Sequence, residues 1–314
     1  MKILLTEGQA ISCGDIDFSI FNRFGEITVC QNMKYDELER EIKKYDALLC
    51  NKLNVDKNII DKAVNLKYIG ECATGYNNID IKYAHEKGIT VCNAGSYSTN
   101  AVAQQVFGYI LNYFSKISLY DNFVKADGWI KSPVFSPIVF QTDELKDKTL
   151  GIVGYGSIGK KVSSIAKAFD MNVLVYTRTV RQDGETNFVS FDELLNNSDI
   201  VSVHCPLTES NFEMFNKETF DKFKNGAYFI NTARGGLVSE NDLYNALQDG
   251  KLGGAAIDVL QTEPMTADNI LIKAKNITIT PHSAWVPTST RQRLINIVAD
   301  NIRAYLNGTP TNVV

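Results

Sequence analysis

Residues 150–160 read LGIVGYGSIGK: a short apolar run enters Gly154-Tyr155-Gly156-Ser157-Ile158-Gly159. In a turn of this spacing the first glycine permits the tight bend and the second lets the backbone approach a pyrophosphate. The third lets the following helix pack closely on the strand. A glycine triplet alone is weak evidence, so its context decides the reading. Here an apolar strand precedes it, a helical pattern from Ile158 to Phe169 follows, and a second strand, NVLVY, comes next. The stretch therefore reads as the opening of a dinucleotide-binding unit. Such a unit often begins a chain, yet about 150 residues precede this one and about 150 follow.

On its N-terminal side, the first hundred residues alternate β-rich runs (KILLT, ITVC, DALLC, LKYIGEC, ITVCN) with amphipathic stretches such as YDELEREIKKY and IDIKYAHEKG. That alternation predicts a parallel sheet with crossover helices. A longer helical pattern runs from Thr99 to about Lys125, with Val102, Val106, Tyr109, Ile110 and Phe114 on one face. The stretch GWIKSPVFSPIVFQTDELKDK, with Pro133 and Pro137, reads as an extended arm. A second series of strands starts at Thr149: TLGIV, NVLVY, DIVSVH, AYFIN, GAAIDV and ITIT. Helix starts within it are marked by Ser190-Phe191-Asp192-Glu193 and Ser239-Glu240-Asn241-Asp242, and Gly250 ends the latter helix. After Pro287 a long amphipathic helix returns to the first domain. The expected fold class is α/β, with two doubly wound parallel-sheet domains. A Rossmann nucleotide domain, residues 99–285, is inserted into a flavodoxin-like substrate domain built from residues 1–98 and 286–314.

The chain has 314 residues, room for two domains of ordinary size. Its 32 Lys and Arg against 36 Asp and Glu give a net charge of −4 with no basic stripe, so nucleic acid is not an expected partner. The start, MKILLTEG, is too short in apolar residues for a signal-peptide core, and no run is long enough to span a bilayer. A cytoplasmic protein without membrane contact is expected. Six scattered cysteines without a CxxC pair predict neither disulfides nor a metal site.

Three strand ends carry residues suited to chemistry. AYFINTARGG places Arg234 directly after a buried strand, where its planar fork can grip a carboxylate. GAAIDVLQTEP places Asp258 in a strand and Glu263 just beyond it. ITITPH places His282 where open α/β sheets bind their ligands. A glutamate can orient an imidazole, and histidine exchanges protons near neutral pH. Together the three form the set needed to reduce a 2-oxo acid with a nicotinamide. The other histidines read differently: His85 as a solvated helix residue, His204 as a structural one. At the end of the second strand of the unit, Thr177 stands where an NAD site usually has a carboxylate for the ribose 2′-hydroxyl. Arg178 and Arg181 beside it are able to grip a 2′-phosphate, so NADP(H) is favoured over NAD(H), which stays possible.

ATGYNNID (73–80), GYGSIG (154–159), HCPLT (204–208), INTARGG (230–236), DVLQTEP (258–264) and TPHSAW (280–285) together resemble the D-isomer-specific 2-hydroxyacid dehydrogenase family. Over nearly the whole chain the sequence is most similar to its hydroxypyruvate/glyoxylate reductase (D-glycerate dehydrogenase) branch. The resemblance implies two α/β domains with the active site in the cleft, commonly as a homodimer. It implies Arg234 as the residue that binds and polarises the substrate, Glu263 as the support of the histidine, and His282 as the acid/base. It further implies backbone N–H groups of Thr74 and Gly75 on the substrate carboxylate, Pro206 in the adenine pocket beside Cys205, and Asp258 on the carboxamide. Thr232 joins Gly154, Gly156, Ser157, Ile158 and Gly159 as a cofactor residue. Asn51 and Trp285 are expected in the substrate pocket. The residue at Thr74 argues against a phosphite dehydrogenase, and Glu263 against a formate dehydrogenase. Two alternatives stay open, an NAD(H)-sensing scaffold of the corepressor type and a dehydrogenase for bulkier D-2-hydroxy acids.

Overall fold

The computed structural model describes residues 1–179, 184 and 186–314. It divides into two compact units, Met1–Ser98 with Trp285–Val314 and Thr99–Ala284, so Trp285 stands with the first unit rather than at the end of the second.

In the first unit the strands are β1 (Lys2–Leu5), β2 (Glu26–Val29), β3 (Ala47–Cys50), β4 (Tyr68–Glu71) and β5 (Thr90–Cys92). The helices α1 (Gly8–Ile11), α2 (Tyr35–Glu41), α3 (Lys57–Lys62) and α4 (Ile81–Glu86) run between them. All strand pairs are parallel, in the order β2-β1-β3-β4-β5, which is the flavodoxin-like winding. Both faces are buried because successive residues point to opposite sides. Ile3, Leu5, Ala47 and Leu49 pack on one side with Phe21, Leu294 and Val298. Leu4, Leu48 and Cys50 pack on the other with Leu38, Ile59 and Ala84. Helix starts are set by short acids: Asp56 accepts from the Ile59 N–H and Asp80 from the Tyr83 N–H.

The second unit begins with α5 (Thr99–Ser115) and α6 (Ile117–Lys125). The sequence predicts one continuous helix here, but Lys116 adopts a left-handed φ of 54° and breaks it. Its ammonium lies 3.9 Å from the centre of the Tyr113 ring, which is itself stacked on Tyr228 at 4.0 Å, and the break carries no Gly or Pro signal. The sheet follows: β6 (Thr149–Val153), β7 (Asn172–Tyr176), β8 (Ile200–Val203), β9 (Ala227–Asn231), β10 (Leu252–Ile257) and β11 (Ile277–Ile279). Its crossover helices are α7 (Ser157–Ala168), α8 (Phe191–Asn197), α9 (Lys217–Asp221) and α10 (Glu240–Gln248). The order is β11-β10-β9-β8-β6-β7, all parallel. Alternate residues again feed two cores: Val201, Val203 and Phe229 pack with Leu243, while Ile152, Tyr228 and Ile230 pack with Val106 and Val162. The chain then closes the first unit with α11 (Thr288–Leu306). Arg291 on α11 makes paired 2.7 Å bonds to both oxygens of Asp15. That pairing holds the Asp15 carboxyl below its ordinary range.

Within each unit, parallel winding gathers the carboxyl ends of its own strands at one edge of its sheet, and the order reverses between β6 and β8 in one sheet and between β1 and β3 in the other. Such switch points leave a crevice where ligands bind. The glycine turn follows β6, at the first of them.

Candidate active site

The glycine turn has the shape its spacing predicts. Gly154 has φ +98°, and a side chain there would sit 2.6 Å from the Cys205 backbone nitrogen. The turn is therefore pressed against the exit of β8, where His204-Cys205-Pro206 follow. At Gly156 an added Cβ would meet nothing within 4 Å. Ser157 opens the 12-residue α7, and Gly156 offers no side-chain cap to its first N–H groups. The positive end of the helix dipole and the open space above Gly156 fit a pyrophosphate. Ile158 is half-buried beneath the turn in the core shared with α5, and Gly159 is buried against the Gly154 carbonyl. After β9 the Thr232 Oγ1 is buried with no partner among the described residues. An orphaned hydroxyl at a strand's carboxyl end is accounted for by a polar ligand group. These residues fit a dinucleotide.

Thr177 is half-buried at the end of β7 and Arg178 is exposed beside it. Arg181 lies outside the described residues. No carboxylate adjoins Thr177 in the described chain on either side. Tyr155, between the first two glycines, reaches Thr186 Oγ1 at 3.2 Å, and its ring meets Phe188 edge-on. The turn and the segment after Arg178 are thereby tied together, a link that carries no signal in the sequence.

Arg234 follows β9 in a loop that holds itself. Asn231 Nδ2 donates to the Arg234 carbonyl (2.9 Å), and Asn231 Oδ1 accepts from the Ala233 N–H (3.0 Å). Gly235 is buried so tightly that an added Cβ would lie 1.9 Å from the Leu260 carbonyl carbon. The Arg234 turn and the chain leaving β10 are thus in direct backbone contact, and that chain carries Glu263. The Leu260 N–H donates to Glu263 Oε1 (2.9 Å), leaving Oε2 to accept from His282 Nδ1 at 2.7 Å. With Nδ1 so engaged, Nε2 is the nitrogen left for proton exchange. Both side chains are about a third exposed or less (27% and 35%), reachable yet partly shielded.

His282 itself is held in the left-handed region at φ 52°, a conformation uncommon for non-glycine residues. Its support is Asp258. The sequence places Asp258 inside the strand and assigns it to a carboxamide; β10 ends one residue earlier, at Ile257, and the carboxylate turns toward the loop after β11. Oδ1 accepts from Thr280 Oγ1 (2.5 Å) and the Ser283 N–H (2.8 Å), and Oδ2 from the Ala284 N–H (2.9 Å). The Asp258 carbonyl takes the His282 N–H at 2.8 Å. Asp258 is 2% exposed, so most of its acceptor capacity serves this turn. His204 plays a different part: its Nε2 lies 2.9 Å from Ser202 Oγ, and burial pushes its pKa down to about 3. It stays neutral. His85 is exposed on α4.

In the first unit the loops after β3 and β4 carry the remaining expected residues. Asn51, expected to face substrate, is 3% exposed and donates through Nδ2 to the Cys72 carbonyl at 2.7 Å. It braces the loop from beneath, because a buried amide must find partners. Thr74 is exposed, its hydroxyl bonded to the Gly95 carbonyl and its own carbonyl accepting from Asn93 Nδ2 (2.7 Å). Gly75 follows it, half-buried. Trp285 packs edge-on against Tyr97 with centroids 6.3 Å apart. Sequence reasoning missed Glu7: its carboxylate accepts from the N–H groups of Asn51 (2.8 Å), Lys52 (2.9 Å) and Leu53 (3.1 Å). It fixes the loop after β3 at the β1/β3 switch point.

A parallel α/β unit with a dinucleotide turn, an arginine and a glutamate–histidine pair at neighbouring strand ends defines a nicotinamide-dependent dehydrogenase. Residues 107–284 match the family model of the D-isomer specific 2-hydroxyacid dehydrogenase NAD binding domain. The chain is 35% identical over 320 residues to hydroxypyruvate reductase of Blautia hydrogenotrophica, covering 100% of this chain and 99% of that one. It is 38% identical over 279 residues to glyoxylate reductase of Thermofilum pendens, covering 87% and 82%. An acyclic imino acid reductase solved with NADPH and D-Arg superposes over 100% of both chains, with a TM-score of 0.89 at 30% identity. The chain belongs to the D-isomer specific 2-hydroxyacid dehydrogenase family and is an oxidoreductase that uses a nicotinamide cofactor.

The Asp258 network generates a test. Asp258→Asn replaces one acceptor oxygen by a donor, which then opposes an N–H or hydroxyl of the 280–284 turn. Destabilisation by about 1–3 kcal/mol is expected, and displacement of the histidine by even an ångström lowers kcat by about 10²-fold. Cofactor affinity, followed by fluorescence titration, changes far less. A variant that lost cofactor affinity while keeping kcat would return Asp258 to the carboxamide.

Proposed function

We propose that this enzyme reduces a short 2-oxo acid, hydroxypyruvate or glyoxylate, to the D-2-hydroxy acid, preferring NADPH, and that it works as a homodimer. The observation that carries the reading is the His282–Glu263 pair (2.7 Å) beside the Arg234 turn. The names of the relatives support the substrate class.

The glycine turn, Thr232 and the Thr177–Arg178 strand end would hold the cofactor, which when bound would supply a hydride for C2. Arg234 holds the substrate carboxylate and polarises the carbonyl through its rigid fork. The N–H groups of Thr74 and Gly75 bind the carboxylate as well. As the carbonyl becomes an alkoxide, imidazolium Nε2 of His282 gives it a proton, and the histidine later regains one from solvent. The substrate thus gains a hydride and a proton, and becomes the 2-hydroxy acid. Glu263 keeps the imidazole oriented and offsets its positive charge before transfer. Orientation and fixed charge are the protein's share of the acceleration.

His282→Ala is expected to lower kcat for hydroxypyruvate reduction by ~10²–10⁴-fold, the usual worth of general acid catalysis, with NADPH binding retained. Loss of activity in His204→Ala but not in His282→Ala would reverse the assignment.

For the cofactor, a charge-assisted bond from Arg178 to a 2′-phosphate contributes roughly 1.5–3 kcal/mol, equivalent to a preference of about tenfold to hundredfold. Values of kcat/KM for NADPH and NADH are compared in the parent, in Arg178→Ala and in Thr177→Asp. Both substitutions are expected to weaken NADPH selectively, the second more strongly through added repulsion. A parent that favours NADH, with a ratio neither change moves, would place Arg178 in solvent alone.

The dimer reading rests on the arm after α6. Helix α6 buries no residue, and Ile130, Phe135 and Ile138 are 82%, 89% and 92% exposed. A run of exposed large apolar side chains marks an interaction surface, and a second copy makes it self-complementary. Light scattering at micromolar concentration is expected to give twice the 35.0 kDa chain mass. A monomer mass would refute it.

A further inference from the structure

At the carboxyl end of β4 stands a buried acid that the proposed mechanism does not use. Glu71 is 0% exposed. Its Oε2 accepts from Asn78 Nδ2 (3.1 Å) and from the Cys50 thiol (3.3 Å), whereas Oε1 has no partner among the described residues. Asn78 is the link between two loops. Its Nδ2 also donates to the Leu53 carbonyl (3.1 Å), and its own carbonyl accepts from the Val55 N–H (2.8 Å). Asn51 Nδ2 reaches the Cys72 carbonyl (2.7 Å), and the Cys72 N–H reaches the Cys50 carbonyl (2.6 Å). Glu71 is therefore the floor on which segments 50–55 and 72–79 meet. The latter segment carries Thr74 and Gly75, so a role for Glu71 in substrate binding rests on the proposal that their N–H groups hold the substrate carboxylate.

We propose that Glu71 is a positioning residue that, in its uncharged, proton-bearing form, holds these two substrate loops together. Loss of its proton loosens the substrate site and leaves the chemical step unchanged.

The bonding pattern favours the uncharged acid. Only the Asn78 amide and the Cys50 thiol donate to the carboxyl group, both to Oε2, and among the described residues no donor reaches Oε1, so a full charge here would be poorly compensated. The surroundings favour the same state. Burial is the largest influence and Glu7, after β1, adds repulsion. Asn78, Cys50 and the Lys52 ammonium oppose them, and the balance pushes the carboxyl up to about 8. The Cys50 and Cys72 thiols are pushed well up by burial and stay neutral, so they offer no compensating charge. The Glu7 carboxylate already takes the N–H groups of Asn51, Lys52 and Leu53. An ionised Glu71 finds no donor left among them. A buried unpaired charge is relieved by admitting water or by moving the loops apart.

The pH effect has a definite sign. Between the ordinary glutamate value and about 8 the folded chain holds this proton and the unfolded chain does not. The stabilisation is fully present at acid pH, declines as pH rises through that window, and levels off above it. The Glu71→Gln variant keeps the size and the acceptor but has no proton to lose. Steady-state KM and kcat for hydroxypyruvate are measured for parent and variant from pH 6.5 to 9. Thermal unfolding and hydrogen exchange at the Val55 and Cys72 amides, corrected for intrinsic rates, are followed in parallel. At pH 6.5 the two KM values are expected within about twofold, and at pH 9 the parent's KM higher by about tenfold, one unit above its pKa. The kcat ratio stays flat. The parent's Tm falls relative to the variant's from pH 5 to 8, and its two amides lose protection above pH 8. A pH-independent KM ratio, or a kcat that falls in the variant, overturns the proposal. If the parent reduces no 2-oxo acid, the functional reading fails, and amide protection then decides: loss above pH 8 in the parent alone supports the role of Glu71, equal protection in both refutes it. If the variant does not fold, the parent's own amides decide: protection lost above pH 8 supports the role, and protection unchanged with pH refutes it.

Discussion

Everything proposed for the chemistry depends on one carboxylate that faces away from solvent. Asp258 gathers the Thr280 hydroxyl and the Ser283 and Ala284 N–H groups, while its carbonyl takes the His282 N–H. This holds His282 at a left-handed φ of 52°, which an unsupported histidine would leave. Without that turn Nδ1 would not meet Glu263, and the imidazole would have neither a fixed tautomer nor a fixed direction. The chemical group is exposed enough to react because its support is not.

The same division of labour recurs elsewhere. Asn231 braces the Arg234 loop, Leu260 orients Glu263 and Asn51 braces the loop after β3. Asn231 and Asn51 are buried, and each sits behind a more accessible segment. A parallel sheet makes this economical, since all its strands deliver their carboxyl ends to one edge and the loops there are neighbours. A side chain added at Gly235 would come within 1.9 Å of the Leu260 backbone, which shows how closely the Arg234 loop is set against the chain carrying Glu263. Small residues at these crossings keep the functional side chains within reach of one another.

Electrostatics separates residues of the same type. His204, pushed down to about 3 by burial, is fixed as a neutral imidazole beside Ser202; His282 is instead hydrogen-bonded to Glu263. Among the acids of the first unit, Glu7 accepts from three backbone N–H groups, whereas burial pushes Glu71 up to about 8 and one of its oxygens has no partner among the described residues. Residue type alone does not predict either outcome.

Local features were legible in the amino-acid order. Short continuous apolar runs mark the strands, the Gly154–Gly159 spacing marks the dinucleotide turn, and Arg234, Glu263 and His282 stand out because each follows a recognisable strand. Short-range physics governs these, so they can be read without knowledge of distant partners. The break at Lys116 could not be read in this way, because no breaker residue marks it and the Tyr113 ring under its ammonium is held by stacking on Tyr228, far away in sequence. Nor could the inward turn of Asn51 and Asp258, or the hold of Glu7 on a loop 44 to 46 residues away. Whether a polar side chain serves a ligand or its own fold depends on which donors the packed chain brings within about 3 Å of it. Those donors come from segments that the linear sequence keeps far apart.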